Sequence, residues 1–250
     1  MAWTDVLLLL ATGFFAGFIN TIAGGGSLVA MPLLIFMGLP SVEANASNRV
    51  AIFVQNIFSV QGFRSKGVHM FPFAFYLAIP AIVGAIIGAN LAVDISGKLF
   101  NRILAIIMLM VIVLTVFKPY LTKNRVAENL SKRSKIASIC TFFFIGIYGG
   151  FIQAGVGFLI IAALTGIHNL GMAKTNSIKV FVILCYTAIA LTIFILGDYV
   201  RWEYGLILAI GNSIGAWISS RWSVNKDDKW IRWILIFTVS ALAIKLWFFG

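Results

Sequence analysis

The feature that most constrains this chain is a succession of apolar runs of spanning or near-spanning length, separated by polar breaks of only a few residues. They cover 6–19, 27–37, 43–63, 71–93, 99–117, 136–152, 158–167, 173–196, 204–219 and 230–249. A helix crossing hydrocarbon needs roughly 20 apolar residues. The chain has 250 residues, 61% of them hydrophobic and only 11% charged. A soluble domain carries about a quarter charged residues. The pattern therefore points to an all-α polytopic membrane protein. The first run has no basic residue before it and no small-residue cleavage site, so it reads as a retained segment.

The net charge of +11 would suggest nucleic acid on a soluble protein. On this chain it is explained by cytoplasmic loops rich in Lys and Arg. The two cysteines, Cys140 and Cys185, lie inside apolar runs and give no metal-ligand spacing and no disulfide framework. They are expected to be small core residues. No metal, cofactor or nucleic-acid partner is expected.

Two stretches, 6–37 and 136–167, are too long for one crossing, yet each is cut by glycines. The cuts are Ala23-Gly24-Gly25-Gly26 and Ala154-Gly155-Val156-Gly157. Each stretch is expected to form a broken helix pair, because non-helical backbone at membrane depth survives only inside protein or along a cavity.

The one long polar loop, 118–135, divides the chain almost in half, and motifs recur across it. Gly13-Phe14-Phe15-Ala16-Gly17-Phe18-Ile19-Asn20 returns as Gly146-Ile147-Tyr148-Gly149-Gly150-Phe151-Ile152-Gln153. Ser47-Asn48 returns as Thr175-Asn176, and Gly84-Ala85-Ile86-Ile87-Gly88-Ala89 as Gly211-Asn212-Ser213-Ile214-Gly215-Ala216. This gives a first repeat at 1–118, a basic linker at 119–135 and a second repeat at 136–250. Placing the linker in the cytoplasm puts most of the 19 basic residues on that side. The halves then have inverted topology, each with a broken helix pair (a helical hairpin) plus three transmembrane helices. The expected location is the bacterial cytoplasmic (inner) membrane, as a multi-pass protein. Inverted repeats with discontinuous helices are the architecture of many secondary transporters, with the site at the repeat interface.

Candidate substrate-binding residues follow from that architecture. Gly24, Gly25, Gly26 and Ser27 in the first break, and Gly155 and Gly157 in the second, place backbone N–H groups at a helix start, where anions are favoured. Close packing of small residues is the structural alternative. Asn20 and Gln153 take matching places before the two breaks and can bind substrate or satisfy the interrupted backbone. Asn48, Thr175 and Asn176 belong to the repeated polar pair. Arg49 and Lys179 lie just after it, and ionisable groups within a span are costly and default to function. Snorkelling to the interface is their alternative. His69 and His168 are expected at the interface or in solvent, and Lys245 is expected to snorkel. Trp3, Tyr199, Trp202, Tyr204, Trp222 and Trp230 fit an interfacial aromatic belt.

The run from Gly13 to Leu34, with Ala23-Gly24-Gly25-Gly26-Ser27 and Met31-Pro32-Leu33-Leu34, resembles the N-terminal motif of the TauE/SafE membrane transporters. Ala46-Ser47-Asn48-Arg49 and Lys174-Thr175-Asn176 resemble that family's Thr/Ser-Asn pattern. The likeness covers nearly the whole chain. It implies export of sulfite, sulfoacetate or a related organosulfonate. The second half lacks the triple glycine and the following proline, so carried-over binding roles are firmer for Gly24, Gly25, Gly26, Ser27 and Asn48 than for Gly155 and Gly157. The leading expectation is a non-enzymatic secondary transporter, an exporter, of a small anion, working by alternating access with the substrate bound between the two helix breaks. Its partners would be the anion and the lipid bilayer, with homodimerisation open. An anion channel is the alternative. An intramembrane enzyme using Ser27 is the remote one.

Overall fold

The computed structural model describes residues 1–68, 71–121, 128–129 and 131–225. His69, Lys245, the run at 230–249 and part of the linker lie outside the described residues. The described residues are helical and contain no strand. In chain order the helices are α1 (Trp3–Ile22), α2 (Ser27–Phe36), α3 (Ser41–Arg64), α4 (Phe71–Val93) and α5 (Gly97–Leu121), then α6 (Lys132–Phe151), α7 (Val156–His168), α8 (Met172–Leu196) and α9 (Trp202–Trp222). Both expected cuts are present, the second two residues earlier than the 154–157 expected, because Val156 and Gly157 belong to α7. Residues 23–26 separate α1 from α2, and residues 152–155 separate α6 from α7.

Among the described residues four helices are long and apolar enough to cross a membrane: α1, α4, α6 and α8. The helices α3 and α9 run to 24 and 21 residues but are more polar. Their buried faces carry Ser, Asn and small residues, while α9 leaves Leu206, Ile210, Ile214 and Ile218 exposed on its outer side. Burial of Asn45, Asn48, Arg49, Gln55, Asn56 and Ser59 makes α3 the polar axis of the molecule.

Helix packing follows the repeated glycines. In α1, Gly13 and Gly17 lie against the carbonyls of Leu208 and Asn212 in α9, while Gly211 and Gly215 of α9 lie against those of Leu10 and Phe14. The pattern recurs elsewhere. In α4, Gly84 and Gly88 meet the carbonyls of Phe143 and Ile147 in α6, and Gly146 and Gly150 of α6 meet those of Ala81 and Ala85. A Cβ at Gly17 would stand 2.7 Å from Asn212 Cα, and one at Gly84 would stand 2.7 Å from the Ile147 nitrogen. Each of the four helices presents two glycines four positions apart. Such small-residue pairs let backbones approach closely where no hydrophobic force separates protein from lipid. Each crossing joins one half of the chain to the other, so the halves share one interior.

Three further contacts fix the edges. Arg201, before α9, donates to both carboxylate oxygens of Glu43 in the first turn of α3, at 2.7 and 2.8 Å. That hydrogen bond and the Glu43 charge hold Arg201 above its ordinary pKa. Lys174 pairs with Glu128 at 2.7 Å. His168, at the end of α7, is fully buried, not at an interface. Its Nδ1 lies 2.7 Å from the Asn129 carbonyl and its Nε2 lies 2.6 Å from Ser138 Oγ. The α7 terminus is thus covered by α6 and the end of the linker. Cys140 differs from expectation in the other direction. It is exposed on the outer surface of α6, while Cys185 is half-buried.

Candidate functional site at the two helix breaks

Each helix that enters a break, α1 and α6, is ended by one residue turned into the left-handed region. The α1 helix ends when Gly24 takes φ +89°. The N–H groups of Ala23 and Gly24 both return to the Ile19 carbonyl, at 2.8 and 3.2 Å, as in a glycine-terminated helix. At the end of α6 the N–H groups of Ile152 and Gln153 both return to the Tyr148 carbonyl, at 3.0 and 3.5 Å. The residue with positive φ there is Gln153, at +65°. Asn20 and Gln153 are therefore not equivalent. Asn20 lies within the last turn of α1, while Gln153 occupies the place that Gly24 takes in the first half. The reason is that α1 runs about one turn further past its glycine pair than α6 does.

A left-handed conformation costs a non-glycine residue about 1–2 kcal/mol, and the Gln153 side chain accounts for its presence. Its Oε1 accepts from Arg49 Nη1 at 3.1 Å, and its Nε2 donates to Thr187 Oγ1 at 3.3 Å. Arg49 Nη2 also donates to the Gly150 carbonyl at 2.5 Å. One turn earlier, Asn45 Nδ2 donates to the Phe151 carbonyl at 2.8 Å. A side chain of α3 thus satisfies each of two carbonyls left open at the end of α6. The Arg49 guanidinium also lies over the Phe194 ring of α8, 4.8 Å from its centroid.

The second half returns the arrangement. Lys179 of α8 donates to the carbonyls of Asn20 and Thr21 in the last turn of α1, at 3.0 and 2.8 Å, and to Asn176 Oδ1 at 2.9 Å. Each buried cation caps the broken helix of the opposite half. A cation at a helix C-terminus also meets the negative end of the helix dipole. The Lys179 ammonium has three hydrogens, and these three acceptors match them. Arg49 differs, because its Nε has no partner. Neither cation snorkels, since both are fully buried.

The breaks themselves meet. A Cβ on Gly157 would fall on Gly24 Cα, and one on Gly24 would fall on Gly157 Cα. Gly26 sits against the Ala16 carbonyl, which folds α2 back on α1. Gly24, Gly26 and Gly157 therefore have packing reasons of their own. Gly155 precedes α7 with φ +72°. The N–H groups of Gly25, Gly26 and Ser27 find no backbone acceptor among the described residues, so the start of α2 keeps its donors.

All thirteen residues singled out from the sequence are buried. Thr175 Oγ1 bonds the Leu170 carbonyl at 3.3 Å and is spent on the turn before α8. Asn48, with no exposed surface, has no partner on either amide atom. It lies between Ala44 and Ala51, on the face of α3 that packs with Leu28 and Met31 of α2 in one core cluster.

Several interior polar residues were not picked out from the sequence. Gln55 Oε1 accepts from Asn20 Nδ2 at 3.1 Å and from Asn212 Nδ2 at 3.3 Å, which joins α1, α3 and α9. Thr21 and Ser59 bond at 2.8 Å. The Tyr148 hydroxyl donates to the Ala154 carbonyl inside the second break. A signal for part of this set was present: Asn45, Asn48, Gln55 and Ser59 recur at three- and four-residue steps with a seven-residue gap, which marks one face of α3.

A bundle of apolar helices, interrupted twice at its centre and enclosing buried cations and amides, defines an integral membrane protein of the transport class. The chain belongs to the sulfite exporter TauE/SafE family, whose profile matches residues 9–246. It is 24% identical over 250 residues to a probable membrane transporter protein, ORF9, of Sinorhizobium sp., covering 98% of this chain and 94% of that one. It is 23% identical to a probable membrane transporter protein of Haemophilus influenzae, covering 96% and 93%. It is 27% identical to the probable membrane transporter protein YfcA of Escherichia coli, covering 96% and 90%. No solved structure matches the chain.

Proposed function

We propose that the chain is a secondary transporter that exports a small anion, sulfite or an organosulfonate such as sulfoacetate, by alternating access. The observation that carries this reading is Arg49. It is fully buried, no carboxylate pairs with it among the described residues, and its Nε is unused. A buried charge held only by neutral groups attracts an opposite charge. Asn48, unpartnered beside it, and the free N–H groups at the start of α2 add donors of the kind an anion needs.

The Gly24–Gly157 contact closes the direct line between the breaks. The anion therefore lies beside that contact, against the Asn48–Arg49 turn of α3. Reciprocal capping across two inverted halves supports alternation, because moving one half against the other trades the Arg49 contacts at one break against the Lys179 contacts at the other. The protein sits in the bacterial inner membrane with the central basic loop in the cytoplasm, and it performs no catalysis.

The test is uptake of labelled sulfite and sulfoacetate into proteoliposomes containing the purified chain. Saturable flux that falls in both Arg49→Ala and Lys179→Ala supports the assignment. Normal flux in both variants would sink it, and flux that never saturates would make the protein a channel.

A further inference from the structure

The hydrogen-bonding capacity left over in the interior is concentrated on one turn of α3. Asn45, Asn48 and Arg49 are each completely buried. Four of their polar atoms have no partner: Asn45 Oδ1, both amide atoms of Asn48, and Arg49 Nε. Asn45 lies three positions before Asn48 and four before Arg49, and residues at those steps are neighbours on a helix, about 5–6 Å between Cβ atoms, so Asn45 links the other two into one patch. Buried polar groups are nearly always satisfied, and four unsatisfied atoms in one turn mark a place built to receive a partner.

The chemistry of the patch is mixed. Arg49 Nε can only donate. Asn48 offers a donor and an acceptor. Asn45 offers an acceptor alone, and its orientation is fixed by its neighbour. Its Nδ2 donates to the Phe151 carbonyl at 2.8 Å, and exchanging the amide atoms would set two carbonyl oxygens against each other. A ligand that only accepts hydrogen bonds, such as a dianionic sulfite or sulfoacetate, serves the donors. It also turns negative oxygens toward the Asn45 carbonyl.

We propose that the anion taken by this site carries a hydrogen-bond donor of its own, an O–H or N–H directed at the Asn45 and Asn48 carbonyls, while its negative oxygens take Arg49 Nε and the Asn48 amide. The class is a small hydroxylated, aminated or protonated oxyanion of sulfur. This rests on the anion-site reading above and narrows its substrate. A site built to bond a substrate hydroxyl rejects the analogue that lacks it far more strongly than an apolar pocket rejects a missing methylene.

The experiment compares 2-hydroxyethanesulfonate with propane-1-sulfonate, which has nearly the same size and the same charge but a methyl in place of the hydroxyl. Uptake of each is measured in proteoliposomes of the full chain, wild type and Asn45→Leu. The expected result is a KM at least tenfold lower for the hydroxylated compound in the wild type, with that ratio collapsing toward one in Asn45→Leu. The ratio within one preparation is independent of how much protein folds. The wild-type ratio is decisive even if the variant does not accumulate. Equal KM values in the wild type, with both fluxes still lost in Arg49→Ala, would show that water serves these carbonyls and would overturn the donor requirement alone. Absence of flux for both compounds would overturn the anion-site reading together with it.

Discussion

Gly24 and Gly157 touch backbone to backbone, each occupying the space in which the other would carry a side chain. The contact joins the two helix breaks at the centre of the molecule. It also separates two costs of substitution. At Gly157 an added methyl group meets only packing, whereas at Gly24 it also meets a φ of +89°. Both Gly24→Ala and Gly157→Ala should abolish transport. Gly24→Ala should be the less stable by a further ~1–2 kcal/mol, the cost of a left-handed alanine. Thermal unfolding of the two purified variants in the same detergent measures the difference, and equal stabilities would contradict this account of the break.

Replacing Arg49 by lysine keeps the charge but loses the fork. A single ammonium cannot hold Gln153 Oε1 and the Gly150 carbonyl, lie over Phe194 and leave a donor for a ligand. Hydrogen bonds to charged groups contribute roughly 1.5–3 kcal/mol each. Arg49→Lys should therefore lower kcat/KM for anion uptake at least tenfold. Wild-type kinetics in this variant would mean that charge alone suffices.

Lys179 should behave differently. The acceptors around its ammonium are the end of α1 and Asn176, so removing it leaves buried carbonyls open. Lys179→Met should reduce stability by about 1–3 kcal/mol. Its effect on unfolding should be larger than that of Arg49→Lys. Denaturation of both variants side by side decides this, and the reverse order would indicate that Lys179 is mainly a substrate ligand.

The glycine crossings predict a matched pair of defects. Gly17→Ala and Gly150→Ala each push a methyl group into the facing backbone, of α9 and α4 respectively. Each should cost about 1–3 kcal/mol, as overpacking does, and the two should be nearly additive because they lie at separate crossings. Unfolding midpoints of the single and double variants provide the check.

Much of the architecture was legible without coordinates. The break at 23–26 was marked by its glycines, the second was read at 154–157 and lies at 152–155 with Gly157 already in α7, and Phe71–Val93 has the bounds that its apolar run predicts. What misled was equivalence by spacing. Counting from the repeated glycines pairs Asn20 with Gln153. The helices end at different distances from those glycines, and Gln153 takes the left-handed place that glycine holds in the first half. A side chain that earns its position through Arg49 and Thr187 cannot be recognised from its own segment. The burial of His168 was hidden for a similar reason, because its cover comes from Ser138 and from the end of the linker.

The sequence by itself determined that the chain is an apolar helical bundle interrupted twice by glycine, with two cations and several amides inside its apolar runs. Local composition and chain-near spacing suffice for that, since helix length, helix termination and the cost of a charge among apolar residues are all local. Only the tertiary structure decided where those cations point. Arg49 and Lys179 each cap the broken helix of the opposite half, and Asn45 and Asn48 keep polar atoms in reserve. Those outcomes depend on which distant carbonyl lies within 3 Å, a distance set by the two glycine-lined helix crossings and by no single segment.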